Sequence, residues 1–278
     1  MASQPPASLL SIPSELRNVI YLYLFNPEGA YERSTYNDPQ DPIAAALKPQ
    51  FDNNSSTPEP CAPRHLSVLQ TCRQIHKEAH LLALSLTAFH VVGEASHPER
   101  FAEQFQMRDA KVAAIRHLML TAKISHLRAM NETWGGLPFG QPSLELETLT
   151  IVPTRPDASS SAYRDIAHLS QGSTLAYILG ETVKCLKNVR CVIVKNRGCF
   201  DEGVWRVVYR SLVYQIWRWG GGKCGIRFEC CNEKEVALGD EWFRVWLQDG
   251  EEGSEVGEEV MRFFSATGFL PDPSLLDV

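Results

Sequence analysis

IRHLML at residues 115–120, LETLTI at residues 146–151 and VRCVIV at residues 189–194 share one apolar spacing. Each has apolar residues at its first, fourth and sixth positions, which is the spacing of strands in leucine-rich repeats. Residues 226–229 (IRFE) are a weaker fourth copy. Amphipathic patterns at about 98–113, 122–133, 173–187 and 203–219 predict helices around these strands. Strands that alternate with helices of this length predict parallel pairing through helical connections.

The four strand segments are therefore expected to be neighbours in one mainly parallel sheet. Leu118, Leu149 and Val192 occupy the same position of the pattern, so we expect them to form one buried row. The copies are unequally spaced along the chain, and this irregularity leaves two α/β architectures open. One is an irregular leucine-rich-repeat-like β/α layer, and the other is a compact open α/β sheet.

An N-terminal helix pair precedes this layer. Residues 9–25 (LLSIPSELRNVIYLYLF) predict one amphipathic helix, and residues 66–86 predict a second. Helices of this length are marginal alone, so we expect their apolar sides to pack together. In the first helix the predicted stripe contains Ile20 and Leu24. It is expected to contact a stripe of the second helix that contains Leu69, Cys72 and Ile75.

Two further segments differ in amino-acid composition from the rest of the chain. Residues 27–64 are rich in proline and polar residues and predict a disordered insertion. Residues 249–259 carry six acidic residues and no basic one, which is typical of a solvated acidic loop. The predicted segments are a first helix at 9–26, the insertion at 27–64, a second helix and short strand at 65–92, the β/α domain at 93–248, and an acidic segment with a C-terminal helix or tail at 249–278.

Charge and cysteine content restrict the class of protein. The 278 residues include 27 Lys and Arg against 33 Asp and Glu, a net charge of −6. This balance argues against a strongly basic nucleic-acid-binding protein. The sequence has no transmembrane run of 18 apolar residues, and its N-terminus does not resemble a secretory signal. Eight cysteines in a chain of this size indicate reduced thiols, and hence an intracellular protein of the cytoplasm or nucleus.

Motifs for catalysis and for metal or cofactor binding are absent from the sequence. It contains no G-x-S-x-G nucleophile elbow, and its glycine-rich turn before Lys223 lacks the strand–loop–helix order of a P-loop. His76 and His80 lie four residues apart, but the sequence between them is Lys-Glu-Ala. A zinc peptidase needs glutamate directly after the first histidine. We therefore predict no catalytic residue, no metal site and no cofactor.

Two motifs carry a resemblance to a known family. They are Ile12–Tyr21 (IPSELRNVIY) and Leu69–Ala79 (LQTCRQIHKEA). Together they resemble the paired helices of the fungal F-box-like family, and the strand AFHV at residues 88–91 resembles the strand that follows them there. The resemblance covers residues 9–92, and here a proline-rich segment separates its two halves. It implies a scaffold that binds the adaptor subunit of a cullin-based ubiquitin ligase, with a C-terminal region that captures substrate.

The first helix is the expected partner-binding element. Residues 9–25 contain more apolar residues than one packing stripe requires, and the surplus is available for a partner unless both sides of the helix are buried. The predicted partner-binding residues are Leu9, Leu10, Pro13, Leu16 and Ile20. The leading hypothesis is a non-enzymatic substrate receptor. The alternatives are an orphan F-box-like scaffold without an adaptor and an unrecognised hydrolase or metal enzyme.

Overall fold

In the computed structural model the chain divides into two units, Met1–Thr87 and Ala88–Val278. The structure describes residues 9–25, 64–92, 109–133, 143–154, 164–220, 225–231, 241–247 and 253–267. Most of the predicted proline-rich insertion, the first part of the predicted helix 98–113, and both ends of the predicted segment 249–278 lie outside these ranges.

The described residues of the N-terminal unit contain two α-helices, as the sequence predicts. A short 3-10 turn at Leu9–Ser11 precedes helix α1 at Ser14–Phe25, and a second 3-10 segment at Arg64–Gln70 precedes helix α2 at Arg73–Leu86. Glu15 lies in the first turn of α1, where a carboxylate interacts favourably with the helix dipole. α1 and α2 pack against each other, which confirms the predicted pair.

The second unit contains seven strands in one mixed sheet. They are β1 at Ala88–Val92, β2 at His117–Lys123, β3 at Leu146–Thr154, β4 at Val189–Lys195, β5 at Arg227–Cys230, β6 at Trp242–Trp246 and β7 at Ser254–Glu255. Their order across the sheet is β1-β2-β3-β4-β6-β5-β7. The first four pair in parallel, and every pairing beyond β4 is antiparallel.

One apolar row crosses six of these strands. Leu118 is aligned with Leu149, and Leu149 with Val192, so the predicted row is confirmed. The pairing extends it to Phe89 at one side and to Val245 and Phe228 at the other. All but Phe89 are at least 96% buried. This row forms the centre of the core that the sheet shares with its helices.

Where the structure describes this unit, its helices are α3 at Asp109–Val112, α4 at Ile124–Thr133, α5 at Arg164–Cys185, α6 at Glu202–Gly220 and α7 at Val256–Thr267. α6 packs against both α5 and α7. α5 begins before the predicted start at residue 173 and runs through Gly172. A Cβ at Gly172 would lie 2.9 Å from Val204 Cγ1 of α6, so glycine here permits close helix packing.

Two expectations about the C-terminal half are wrong. The segment 226–229 does not pair with 189–194, because β6 lies between β4 and β5 and runs antiparallel to both. The residues 253–259 are not a solvated acidic loop, because they form β7 and the first turn of α7. Glu259 is only 2% exposed. Carboxylates in a first helical turn are stabilised by the dipole, which explains why an acidic run can begin a helix.

Gly253 is expected to be intolerant of a side chain. Its φ is +84°, and an added Cβ would lie 2.9 Å from the backbone oxygen of Phe228, at the pairing of β5 with β7. Gly253→Ala should therefore lower the free energy of unfolding by about 1–3 kcal/mol. Gly257→Ala is the matched control, because nothing lies within 4 Å of its added Cβ. That change should be neutral or stabilising in urea unfolding, and equal effects of the two changes would contradict the expectation.

Candidate partner-binding surface

The helix pair of the N-terminal unit encloses a small core. Tyr21 and Phe25 of α1 are fully buried, and they share this core with Ile75, Ala79 and Ala83 of α2. The ring centroids of the two aromatic residues are 6.2 Å apart. α1 therefore packs on α2 with the side that carries positions 17, 21 and 25.

A second side of α1 presents apolar side chains to solvent. Leu16 is 56% exposed, Val19 47%, Ile20 40% and Tyr23 59%. Steps of three and four residues place these four on one side of the helix, which we call the exposed apolar face of α1. Contiguous apolar surface of this kind on a soluble domain often marks a site of protein interaction.

Four of the five predicted partner-binding residues are exposed. Leu16 and Ile20 belong to the exposed apolar face, and Leu10 and Pro13 lie exposed in the turn before α1. Leu9 is half-buried and packs against the small core, so it is part of the helix-pair packing.

The predicted contact of Ile20 with α2 is wrong, whereas Leu24 does pack against the core with Leu69, Cys72 and Ile75. α1 contains two apolar stripes of the same period, one through Leu16 and Ile20 and one through Tyr21 and Phe25. Periodicity alone cannot choose between them. The aromatic stripe is the one that packs, since large rings remove more apolar area from water.

Arg17 completes the buried side of α1. It is 7% exposed. Its Nε donates to Glu78 Oε2 at 2.9 Å, and its Nη2 donates to Glu78 Oε1 at 2.7 Å. This is a bidentate pair between α1 and α2. Gln74 Nε2 also donates to Glu78 Oε1 at 3.0 Å, so the carboxylate is held on several sides.

The same guanidinium attaches the turn before α1. Arg17 Nη1 donates to the backbone oxygen of Ile12 at 2.5 Å, and the oxygen of Leu10 lies 3.4 Å from it. Arg17 therefore joins α2, α1 and the turn that carries Leu10 and Pro13. The Arg17–Glu78 pair attaches this turn to the two helices, so the turn is ordered before a partner binds.

The contacts of Glu78 make a pH-dependent contribution to stability. The hydrogen bonds from Arg17 and then from Gln74 lower the pKa of Glu78, and Glu78 in turn raises the pKa of Arg17. A carboxyl with a lowered pKa in the folded state stabilises that state above its unfolded pKa, about 4.3 for glutamate. The stabilisation is lost as the pH falls through the lowered pKa.

Glu78→Gln should therefore lower the melting temperature at neutral pH by several degrees. We expect the difference from the unmodified chain to disappear in strongly acidic solution, where Glu78 is protonated. Thermal melts followed by circular dichroism across pH 2–8 check this. Glu15→Gln, in the exposed first turn of α1, is the control. A difference between the Glu78 variant and the unmodified chain that is the same at all pH values would contradict the expectation.

Two buried polar side chains of the sheet unit, Glu259 and Asn196, are held by hydrogen bonds within the protein. The hydroxyl of Tyr209 donates to Glu259 Oε2 at 3.2 Å, and Arg262 Nη1 contacts Glu259 Oε1 at 3.0 Å. Asn196 donates to the backbone oxygen of Phe200 at 2.8 Å and accepts its N–H at 2.9 Å. These contacts stabilise the fold, and they provide no open nucleophile or base.

Cys230, at the end of β5, is poorly suited to nucleophilic chemistry. Cys230 Sγ lies 3.8 Å from the backbone oxygen of Trp242, and Cys231 Sγ accepts the Trp242 N–H at 3.4 Å. Burial raises the pKa of Cys230 to about 12. Its thiol therefore stays protonated at neutral pH, and the thiolate is the reactive form.

Within the described ranges, no group of three or more His, Cys, Asp or Glu side chains could hold a metal ion. No helix in the part of the chain that the structure describes combines the length and apolar character needed to span a membrane. No protein-family model matches this chain, and none of the curated proteins compared with it matches either.

Proposed function

We propose that this protein is a non-enzymatic interaction module in which the exposed apolar face of α1 binds a partner protein. The observation that carries the proposal is the exposure of Leu16, Val19, Ile20 and Tyr23 on a helix whose other side is already packed. An amphipathic helix with an apolar side left open is a recurring mode of protein recognition. The helix does not need this side for its own core.

The partner that fits best is the adaptor subunit of a cullin-based ubiquitin ligase. The resemblance of Ile12–Tyr21 and Leu69–Ala79 to the fungal F-box-like family supplies this role. Leu16 and Ile20 belong to that motif and are exposed, and Pro13 of the same motif lies at the start of α1. The preformed turn held by Arg17 supports binding, since less conformational entropy is lost when a surface is already ordered.

The sheet unit is the proposed substrate-capturing part. Its parallel strands β2, β3 and β4 carry the leucine-rich-repeat-like spacing and alternate with helices, and architectures of that kind often present binding surfaces. An intracellular location belongs to the same proposal. It is supported by the six described cysteines, none of which forms a disulfide bond in the structure.

Co-purification of the full chain with the purified adaptor subunit tests the proposal. We expect the two proteins to elute as a complex from a size-exclusion column at micromolar concentration. Absence of a complex between the unmodified chain and the adaptor would overturn the ligase assignment. It would leave the orphan scaffold as the function to be examined.

A further inference from the structure

His76 and His80 lie one turn apart on α2, outside the small core. Their rings are parallel to within 3°, with centroids 5.0 Å apart. His76 is exposed and His80 is half-buried. Two imidazoles at i and i+4 project from the same side of a helix and can both reach one ion. This pair is separate from the exposed apolar face of α1.

A hydrogen bond determines the tautomer of the His80 ring. His80 Nδ1 lies 2.8 Å from the backbone oxygen of His76. A carbonyl oxygen only accepts hydrogen bonds, so Nδ1 must carry the proton. In the neutral ring the lone pair is then on Nε2. Histidines that bind metals typically donate their other ring N–H to a backbone carbonyl or carboxylate, which orients the ring and raises its basicity.

From the i, i+4 spacing and the hydrogen bond of His80 we infer, in contrast to the sequence-based prediction of no metal site, that His76 and His80 form a two-point chelate for a late first-row divalent cation. Imidazole nitrogen suits Cu²⁺, Ni²⁺ and Zn²⁺, and the order of affinities predicts that Cu²⁺ binds most tightly. The described residues offer no third ligand at this place, so water completes the coordination. Metal–nitrogen bonds of about 2.0–2.1 Å place the two nitrogens within about 4 Å of each other. Because a metal ion lies in the plane of each imidazole that binds it and the two rings are stacked in parallel, the exposed ring of His76 has to rotate to direct its lone pair at the ion bound by His80.

The chelate would connect two successive turns of α2. Ile75 and Ala79 lie on the same two turns and belong to the small core, and Glu78 pairs with Arg17. An ion that binds only when α2 is helical stabilises the helix pair through mass action. Metal binding at this site would therefore stabilise α2. It does not require that the protein also binds the adaptor.

Isothermal titration of the full chain with Cu²⁺ and with Ni²⁺, in a buffer that does not bind metals, tests the inference. We expect His76→Ala and His80→Ala each to weaken one binding event at least tenfold, because either change leaves a single ligand. His126→Ala, which removes a half-buried histidine of α4, should leave that event unchanged. Circular dichroism of each variant without metal checks that α2 still folds.

Two spectroscopic measurements read out the proposed ligands directly. The electron paramagnetic resonance spectrum of the Cu²⁺-loaded chain should show coupling to two imidazole nitrogens, and one should be lost in each single variant. In the metal-free chain, ¹⁵N chemical shifts should show the proton of neutral His80 on Nδ1. Unchanged affinity in either single variant, a weakening of the same size in the His126 control, or a proton on Nε2 would overturn the inference.

Discussion

Phe243→Ala is expected to lower the free energy of unfolding of the sheet unit by about 3–5 kcal/mol, the range for removal of a buried aromatic ring. Phe243 is fully buried in β6. Its ring centroid lies 5.2 Å from that of Trp205 and 5.2 Å from that of Tyr209, both on α6. Alanine would leave a cavity between the sheet and α6. Since the core is close-packed, little of that cavity can be filled by relaxation.

The loss of stability should exceed that of the ring contacts alone, because Phe243 lies in the strand that joins the two halves of the sheet. Phe243 is aligned with Val194 of β4 and with Cys230 of β5, so β6 connects the parallel half of the sheet to β5. Urea unfolding followed by tryptophan fluorescence and by circular dichroism measures the change. Tyr214→Ala, on the surface of α6, is the control and should cost no more than about 0.5 kcal/mol. A cost below about 1 kcal/mol for Phe243→Ala would show that β6 is not a packed central strand.

The parallel half of the sheet could be predicted because each of its strands can be recognised from the order of its own residues. Leu118, Leu149 and Val192 each lie in a strand whose apolar spacing is visible by itself, and helical patterns between the strands indicate parallel pairing.

Strand β6 has a weaker sequence pattern. It is five residues long, and the charged residue Arg244 stands at its centre, between Phe243 and Val245. Arg244 pairs there with Glu229 and lies over the ring of Trp242. Insertion of β6 between β4 and β5 depends on contacts distant in sequence, which periodicity does not encode.

Sequence reasoning placed the candidate surface on the first helix, but it assigned Ile20 to the side that packs on α2. The surplus of apolar residues in 9–25 indicated two usable sides of α1, and the structure has both. Ile20 was assigned to the wrong side because both apolar stripes of α1 have the same period, and the side that packs also carries the charged residue Arg17. A single charge beside Tyr21 and Phe25 can be buried when a carboxylate of the facing helix neutralises it, and Glu78 does so. That pairing crosses two helices and has no local signature.

Leu16→Asp combined with Ile20→Asp is expected to reduce adaptor binding at least 100-fold, which corresponds to about 3 kcal/mol or more. Both side chains lie on the exposed apolar face of α1. In a dry contact each aspartate would lose its hydration without gaining a partner charge, and an unpaired buried charge is strongly unfavourable. The fold should survive, because neither residue belongs to the small core. Leu9→Asp with Leu10→Asp would be a poorer choice, since Leu9 packs against that core.

Controls for this double variant separate the loss of a binding surface from damage to the helix. Leu81→Asp with Tyr177→Asp introduces two aspartates at exposed apolar positions of α2 and α5, and it should leave binding unchanged. Leu16→Lys with Ile20→Lys should abolish binding as fully as the aspartates, because desolvation penalises a charge of either sign. Size-exclusion co-elution with the adaptor measures binding, and circular dichroism checks the helices. If both charged variants still bind the adaptor as the unmodified chain does, the exposed apolar face of α1 is not the contact, and the adaptor must bind elsewhere on the protein.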